Sequence, residues 1–145
     1  MKIGFTGTRQ GMTDAQSNAF EELFVKLFHQ DLSVREFHHG DCIGSDEEAD
    51  ALVRVEPGVF LHVHPCNLFR QRAYTTGDFE YTEMPPLKRN REIVDATEVL
   101  IATPSDTKEI FRGSGTWATV RYARKQGRKI HIIFPDGSIK EEDWS

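Results

Sequence analysis

Hydrophobic positions along the chain alternate between short apolar runs and longer stretches with helical spacing. The short runs predict strands at 2–6, 34–38, 59–64, 99–103 and 129–134. From Thr13 to Gln30, apolar side chains recur at intervals of three and four residues, which predicts a helix with one buried face. The sequence from Thr13 to Gln16 fits a capping box at its start. Further helices are predicted after Ser45, after Pro86 and before Gly127.

Strands that alternate with helices indicate βαβ units. We therefore expect an α/β fold, a single Rossmann-like domain over 1–145 with three layers and a mostly parallel sheet of about five strands. The mostly polar residues 138–145 show no clear pattern and are a candidate irregular tail. Sheets of this kind bind ligands at the carboxyl ends of their strands, where the strand order reverses. The first strand and the strand at 99–103 are expected to meet at that point.

Composition narrows the classes of partner. The chain of 145 residues carries 18 basic and 23 acidic side chains, a net charge of −5, which argues against general nucleic-acid binding. No apolar run approaches the ~20 residues that a membrane-spanning helix requires, so no membrane partner is expected. The start of the chain does not resemble a signal peptide, and there are two cysteines, Cys42 and Cys66. We therefore expect a cytoplasmic protein with free thiols.

Three glycine-containing segments, at 6–13, 39–46 and 111–119, each join a predicted strand or long loop to a helix. Free backbone N–H groups and the helix dipole attract anions at such places, and Arg9 adds a bidentate donor for phosphate. The same segments also fit ordinary turns, in which Ser45 and Asp46 only cap a helix. The candidate ligand-binding residues are Gly7, Thr8, Arg9, Gly40, Asp41, Gly44, Ser45, Asp46, Ser114, Gly115 and Thr116.

The histidines and cysteines are candidate metal ligands. His62 and His64 share one face of a predicted strand, and with His38, His39, Cys42 and Cys66 they suggest zinc. The sequence contains no CxxC or HExxH spacing, so the favoured expectation is no metal and no other cofactor. Cys42 has no defined base partner, which argues against a nucleophilic role.

The later motifs add a resemblance. In order they are Arg89-Asn90-Arg91-Glu92-Ile93-Val94, Val99-Leu100-Ile101-Ala102, Ser114-Gly115-Thr116 with Thr119, and Gly127-Arg128-Lys129. From residue 1 to about 134, the chain resembles the SLOG superfamily of nucleotide-binding proteins, which includes DNA-processing protein A and the cytokinin-activating phosphoribohydrolases. The segments Gly7-Thr8-Arg9 and Gly44-Ser45-Asp46 look like its earlier glycine turns. The resemblance adds Arg89, Asn90 and Thr119 to the ligand-binding candidates.

The resemblance implies a pocket for a nucleotide or an ADP-ribose-like phosphate ligand. Small stand-alone members of the superfamily sense or generate such ligands, including in bacterial and phage conflict. By analogy, the favoured function here is that of a sensor or sequestering module. Members of the superfamily commonly associate, so a homo-oligomer is expected, and Trp117 and Tyr122 offer aromatic contact surface if they are not buried.

The alternative is an N-glycosidase or phosphoribohydrolase that acts on nucleoside monophosphates. That branch carries P-G-G-x-G-T-x-x-E, and Thr119 stands here where its catalytic glutamate should be. Asn90 replaces the lysine of its R-K pair. A hydroxyl cannot act as the carboxylate acid or base, so an enzyme is not favoured. If the chain is an enzyme, the candidate catalytic residues are Asp41, Asp46, Arg89 and Glu92.

Overall fold

The computed structural model describes residues 1–31, 33 and 35–145. Within them, four α-helices flank a seven-stranded sheet. The strands are β1 (Lys2–Gly7), β2 (Arg35–His39), β3 (Val59–Val63), β4 (Phe79–Glu80), β5 (Val99–Thr103), β6 (Lys129–Ile133) and β7 (Ile139–Asp143). The helices are α1 (Asp14–His29), α2 (Ser45–Arg54), α3 (Pro86–Asp95) and α4 (Gly115–Lys125), with a short 3₁₀ turn at Phe69–Gln71.

The strand order is β4-β3-β2-β1-β5-β6-β7, and every pair is parallel except β6 with β7. The chain builds outward from β1 to β4 and then returns to the other side of β1. β1 and β5 are therefore neighbours, in register from Ile3 opposite Val99 to Gly7 opposite Thr103. This confirms the expected adjacency and places the reversal of strand order between these two strands.

Two apolar cores lie on opposite faces of the sheet and give the three expected layers. On the face covered by α1 and α2, the rings of Phe5, Phe20 and Phe37 pack with centroids 5.3–5.9 Å apart. On the face covered by α3 and α4, Trp117 is the largest buried side chain and is only 1% exposed. Trp117 therefore stabilises the core and does not meet the condition under which it would offer oligomer contact surface.

The expected number of strands was too low. β4 has two residues within the 65–85 loop, too few for any hydrophobic period to show. The candidate irregular tail was also wrong, because residues 139–143 form the antiparallel edge strand β7. Its sequence is mostly charged, as is common for an exposed edge strand. The predicted strand at 34–38 begins at Val34, which lies outside the described residues, and β2 is described from Arg35.

The start of α1 follows the prediction. The Thr13 hydroxyl accepts a hydrogen bond from the N–H of Gln16, and the Gln16 side chain accepts one from the N–H of Thr13. The buried Gln16 amide also donates to the carbonyls of Pro104 and Ile133, at 2.8 and 2.9 Å. The cap thus ties α1 to the ends of β5 and β6. No helix in the described ranges is long and apolar enough to cross a membrane.

Candidate functional site

A cleft of about 710 Å³ lies at the carboxyl ends of β1 and β5. Its walls are the loops that follow these strands and the first turns of α3 and α4. The reversal of strand order opens this space, because the chain leaves β1 and β5 in opposite directions. The predicted site residues that line it are Gly7, Thr8, Arg9, Gly40, Asp46, Arg89, Asn90, Ser114, Gly115 and Thr116.

The amino terminus of α4 opens onto the cleft. Ser114 is the N-cap, and its hydroxyl accepts a hydrogen bond from the N–H of Trp117 at 3.2 Å. A Cβ built on Gly115 would meet only Asn90 Nδ2, at 3.9 Å, so the space above this residue is open. Among the described residues, none accepts a hydrogen bond from the backbone N–H of Gly115 or Thr116. These N–H groups and the helix dipole are therefore free to meet an anion.

The amino terminus of α2 is closed. The N–H and the hydroxyl of Ser45 both donate to the carbonyl of Thr8, at 3.1 and 2.6 Å. The predicted side-chain cap at Ser45 was wrong. The N-cap is Gly44, which has no side chain that could accept a hydrogen bond from the helix. Gly44 and Ser45 do not line the cleft. This second glycine turn therefore holds the loop after β1 instead of presenting N–H groups to a ligand.

Three other predicted residues lie away from the cleft. Asp41 is fully buried, with φ at 56°, and accepts hydrogen bonds from Arg72 Nε at 2.9 Å and from both the N–H and the hydroxyl of Thr75. It thereby anchors the loop at 65–85. The Thr119 hydroxyl donates to the carbonyl of Gly115 within α4, at 2.8 Å. Glu92 does not line the cleft, and its carboxylate lies 2.6 Å from His64 Nδ1.

Positive charge collects in the cleft from Arg9, Arg89 and Arg112. Arg89 is buried, and its guanidinium donates to the carbonyl of Gly40 at 2.5 Å and to Asn90 Oδ1 at 2.7 Å. None of the three arginines forms an ion pair with any residue that the structure describes. Because Asn90 Oδ1 accepts the hydrogen bond from Arg89, the Nδ2 group of Asn90 remains as a donor beside Gly115. The cleft therefore suits a ligand with negative charge and acceptor oxygens.

One carboxylate among the catalytic candidates borders the cleft. Asp46 is only 5% exposed, and burial raises its pKa although His39 and Arg89 act in the opposite direction. Beside it, burial raises the pKa of the Cys42 thiol to about 12, so this sulfur is protonated at neutral pH. Cys42 and Cys66 are both free, as expected.

Sequence reasoning did not assign a binding role to several residues of the cleft wall, among them Arg112, Leu87 and Ile110. Arg112 directly precedes Gly113-Ser114-Gly115, and an arginine beside a predicted helix start was the signal available. Leu87 is 61% exposed and Ile110 is 38% exposed, and both line the cleft. Their exposure puts apolar surface beside the positive charge, and no hydrophobic period predicts it.

A second polar group of residues lies on β2, β3 and the segments that cover them. This histidine cluster comprises Glu36, His38, His62, His64, Tyr81 and Glu92. His38 Nδ1 lies 2.7 Å from His64 Nε2, and His64 Nδ1 lies 2.6 Å from Glu92 Oε1. Burial lowers the pKa of His38 to about 4 and that of His64 to about 2, so both rings are neutral at pH 7.

No known protein-family model and no curated protein matches the chain. One similar solved structure is TM1055, a structural genomics target, with 16% identity and a TM-score of 0.64 over 90% of this chain and 72% of that one. Another is the molybdenum cofactor binding protein of the phototrophic bacterium Rippkaea orientalis, with 18% identity and a TM-score of 0.64 over 92% and 77%. At these identities the likeness establishes a shared Rossmann-like α/β fold.

Proposed function

We propose that the cleft binds a small nucleotide or nucleotide-derived phosphate, such as an ADP-ribose-like ligand, and that the protein acts as a sensor or sequestering module. One observation carries the proposal: the unobstructed amino terminus of α4 faces a cleft with three arginines, none of which forms an ion pair within the described part of the chain. Phosphate groups bind at such helix ends, and arginine adds charged bidentate hydrogen bonds.

The rest of the cleft suits the remainder of such a ligand. A volume of about 710 Å³ lies within the range of small-molecule pockets. Exposed Leu87 and Ile110 offer apolar surface for a base, while Asn90 Nδ2 offers a donor near the phosphate position. The SLOG resemblance supports the same ligand class. A protein with a similar fold also binds a ligand, since one structural neighbour is a molybdenum cofactor binding protein.

Titration calorimetry against mononucleotides, cyclic nucleotides and ADP-ribose tests the proposal. At least one compound is expected to bind one site per chain. Inorganic phosphate is expected to bind more weakly, because it leaves the apolar part of the cleft unfilled. An absence of binding to every compound at high micromolar concentration would overturn the proposal.

Two variants test where the ligand binds. Charged hydrogen bonds contribute roughly 1.5–3 kcal/mol each, so Arg9→Ala is expected to weaken binding by about 10- to 150-fold. Gly115→Val is expected to weaken it further, because its side chain would fill the open space over the helix end. Lys125→Ala at the far end of α4 removes a charge outside the cleft and serves as the control. Unchanged affinity in both cleft variants, with unchanged melting temperatures, would place the ligand elsewhere.

The N-glycosidase alternative is favoured only by Asp46. This buried carboxyl group has a raised pKa and borders the cleft, which is a setting typical of acid–base groups. Of the other acidic candidates, Asp41 already accepts hydrogen bonds from Arg72 and Thr75, and Glu92 lies outside the cleft. Incubation with nucleoside monophosphates and chromatography for free base provides the test. Release of base that is lost in Asp46→Asn would favour the enzyme, whereas absence of release would favour the binding module.

A further inference from the structure

Three side chains of the histidine cluster converge on one point, although sequence spacing gave no sign of it. Glu36 and His38 are two residues apart on β2 and project from the same face. His62 on β3 is the register partner of His38, so it joins them on that face. Glu36 Oε1 lies 2.9 Å from His38 Nε2 and 3.4 Å from His62 Nε2. All three ligand atoms lie within 4.8 Å of one another.

We propose that Glu36, His38 and His62 bind one divalent first-row transition metal ion, with Zn²⁺ as the reference case. Zinc bonds to nitrogen and oxygen are about 2.0–2.2 Å long, so the ligand atoms of a tetrahedral site lie roughly 3.3 Å apart. The distances from Glu36 to the two histidines are close to that value. Two histidines and one carboxylate also leave a coordination position open, as in sites that bind a further ligand.

The second nitrogen of each ring has a hydrogen-bond partner, an oxygen for His62 and the ring nitrogen of His64 for His38. Histidines that bind a metal almost always donate the other ring N–H to a carboxylate, a carbonyl or another oxygen. His62 Nδ1 lies 2.9 Å from the Tyr81 hydroxyl. His38 Nδ1 lies 2.7 Å from His64 Nε2, and His64 Nδ1 continues to Glu92 Oε1 at 2.6 Å. These contacts orient both Nε2 atoms toward Glu36.

Counting protons favours an ion at this point. With the metal on His38 Nε2, His38 Nδ1–H donates to His64, and His64 Nδ1–H donates to ionised Glu92. Every hydrogen bond then has its proton while both rings remain neutral. Without the ion, the chain Glu36–His38–His64–Glu92 contains three hydrogen bonds, but two neutral rings supply only two protons. A third proton, on a ring or on one of the two carboxyl groups, is then needed, whereas the ion makes it unnecessary.

The surroundings of the cluster suit a held ion with a route to solvent. His62 is stacked between His38 and Phe79, with centroids 4.2 and 4.6 Å away, and Tyr81 covers His64 at 3.8 Å. The rings approach one ion by rotation about their Cβ–Cγ bonds, which are soft torsions. The Glu36 side chain is 17% exposed, while that of His38 is 1% exposed. The carboxylate is therefore the side from which an ion enters.

This site is separate from the nucleotide cleft, since none of its three ligands lines that cleft. The inference therefore stands or fails independently of the proposed function. It also replaces the sequence-based expectation of no metal, which depended on spacing along the chain. Here the ligands come from two strands and are brought together only by the pairing of His38 with His62.

The test uses the full chain without a histidine tag, stripped with a chelator and titrated with Zn²⁺ by calorimetry. One ion per chain is expected, and Co²⁺ is expected to give visible absorption bands. Roughly 100-fold or greater losses of Zn²⁺ affinity are expected in Glu36→Gln and His62→Gln, and about 10- to 100-fold in Tyr81→Phe. His131→Gln is the control, because His131 is also a buried histidine beside a glutamate, Glu141, at 3.3 Å on another strand.

Melting curves with and without Zn²⁺ separate loss of the ligands from loss of the fold. Zn²⁺ should raise the melting temperature of the wild type and of His131→Gln, but not that of Glu36→Gln. Glu36→Gln decides the matter if His62→Gln fails to fold, because it keeps the size of a partly exposed side chain. Less than stoichiometric binding by the wild type, or full affinity in a folded Glu36→Gln protein, would overturn the proposal.

Discussion

At the residue scale, Gly44 and Gly115 show how alike two glycines look in sequence and how differently they are used. Gly44 has φ at 91°, and a Cβ there would lie 2.3 Å from the carbonyl oxygen of Arg9. Gly115 has no such φ, and a Cβ there would meet only Asn90 Nδ2, at 3.9 Å. Gly44 therefore serves the close contact between two loops, while Gly115 leaves space in the cleft. The glycine that needs a left-handed backbone near α4 is Gly113, with φ at 76°.

This difference predicts opposite outcomes for the same substitution. Gly44→Ala should lower the free energy of unfolding by roughly 1–3 kcal/mol or more, because it adds both backbone strain and a collision. Gly115→Ala should change it by less than about 0.5 kcal/mol, as at other open surface positions. Urea unfolding followed by circular dichroism measures both. Equal losses in the two variants would contradict the assignment of roles.

Sequence identified cleft-lining residues that lie beside a strand end or a helix start, and it did not reveal the structural roles of residues whose partners are distant. Ser114, Gly115 and Arg9 were predicted because each lies beside a strand end or a helix start. The roles of Asp41 and Ser45 depend on partners more than thirty positions away along the chain, Arg72 and Thr8. No local pattern reveals such partners.

At the element scale, β7 is held to the sheet by more than its backbone pairing. Arg124 of α4 donates to both carboxylate oxygens of Glu142, at 2.8 and 3.0 Å, and to Glu109 at 2.8 Å. Lys140 lies 3.5 Å from the same carboxylate. The hydrogen bonds from Arg124 lower the pKa of Glu142 from 4.5 to about 2. The sequence shows only an acidic run at this place, which is why the strand was missed.

The lowered pKa predicts a pH dependence. A carboxyl group with a lower pKa in the folded state stabilises the protein above its unfolded pKa of 4.5 and loses that contribution as the pH falls through about 2. Glu142→Gln should lower the free energy of unfolding at pH 7 by about 1.5–3 kcal/mol and flatten its slope between these pH values. Glu141→Gln is the control, because that side chain is 73% exposed. Parallel pH profiles for wild type and Glu142→Gln would contradict the prediction.

At the scale of the whole molecule, hydrophobic patterning located the five central strands and left out both edges. A hydrophobic pattern shows which side chains are buried, and the central strands are largely buried. β5 is buried at every position. β4 and β7 are mostly exposed, so their sequences carry little apolar signal. Of the strand order, the sequence predicted only that β1 and β5 are neighbours, because ligands bind where the order of a parallel sheet reverses.

The expected homo-oligomer stays a prediction. The SLOG resemblance supports this prediction. Because Trp117 is buried, Tyr122 is the remaining one of the two aromatic candidates for the contact. Tyr122 keeps a hydrogen bond to Asp95 at 2.8 Å and lies beneath Arg91. Light scattering should give at least twice the chain mass of 16.6 kDa. A mass of 16.6 kDa at working concentration would contradict the expectation.

The closed amino terminus of α2 has a consequence for how fast a ligand is captured. The Thr8 carbonyl accepts hydrogen bonds from Ser45 and Gly11, and the N–H of Met12 donates one to the Glu48 carboxylate at 2.6 Å. The loop after β1 is therefore ordered before any ligand arrives. A ligand that meets this loop has little backbone to immobilise, which lowers the entropic cost of binding. Association should therefore be a single step whose rate rises linearly with ligand concentration. Differences in affinity among ligands should then arise mainly from how slowly each one leaves.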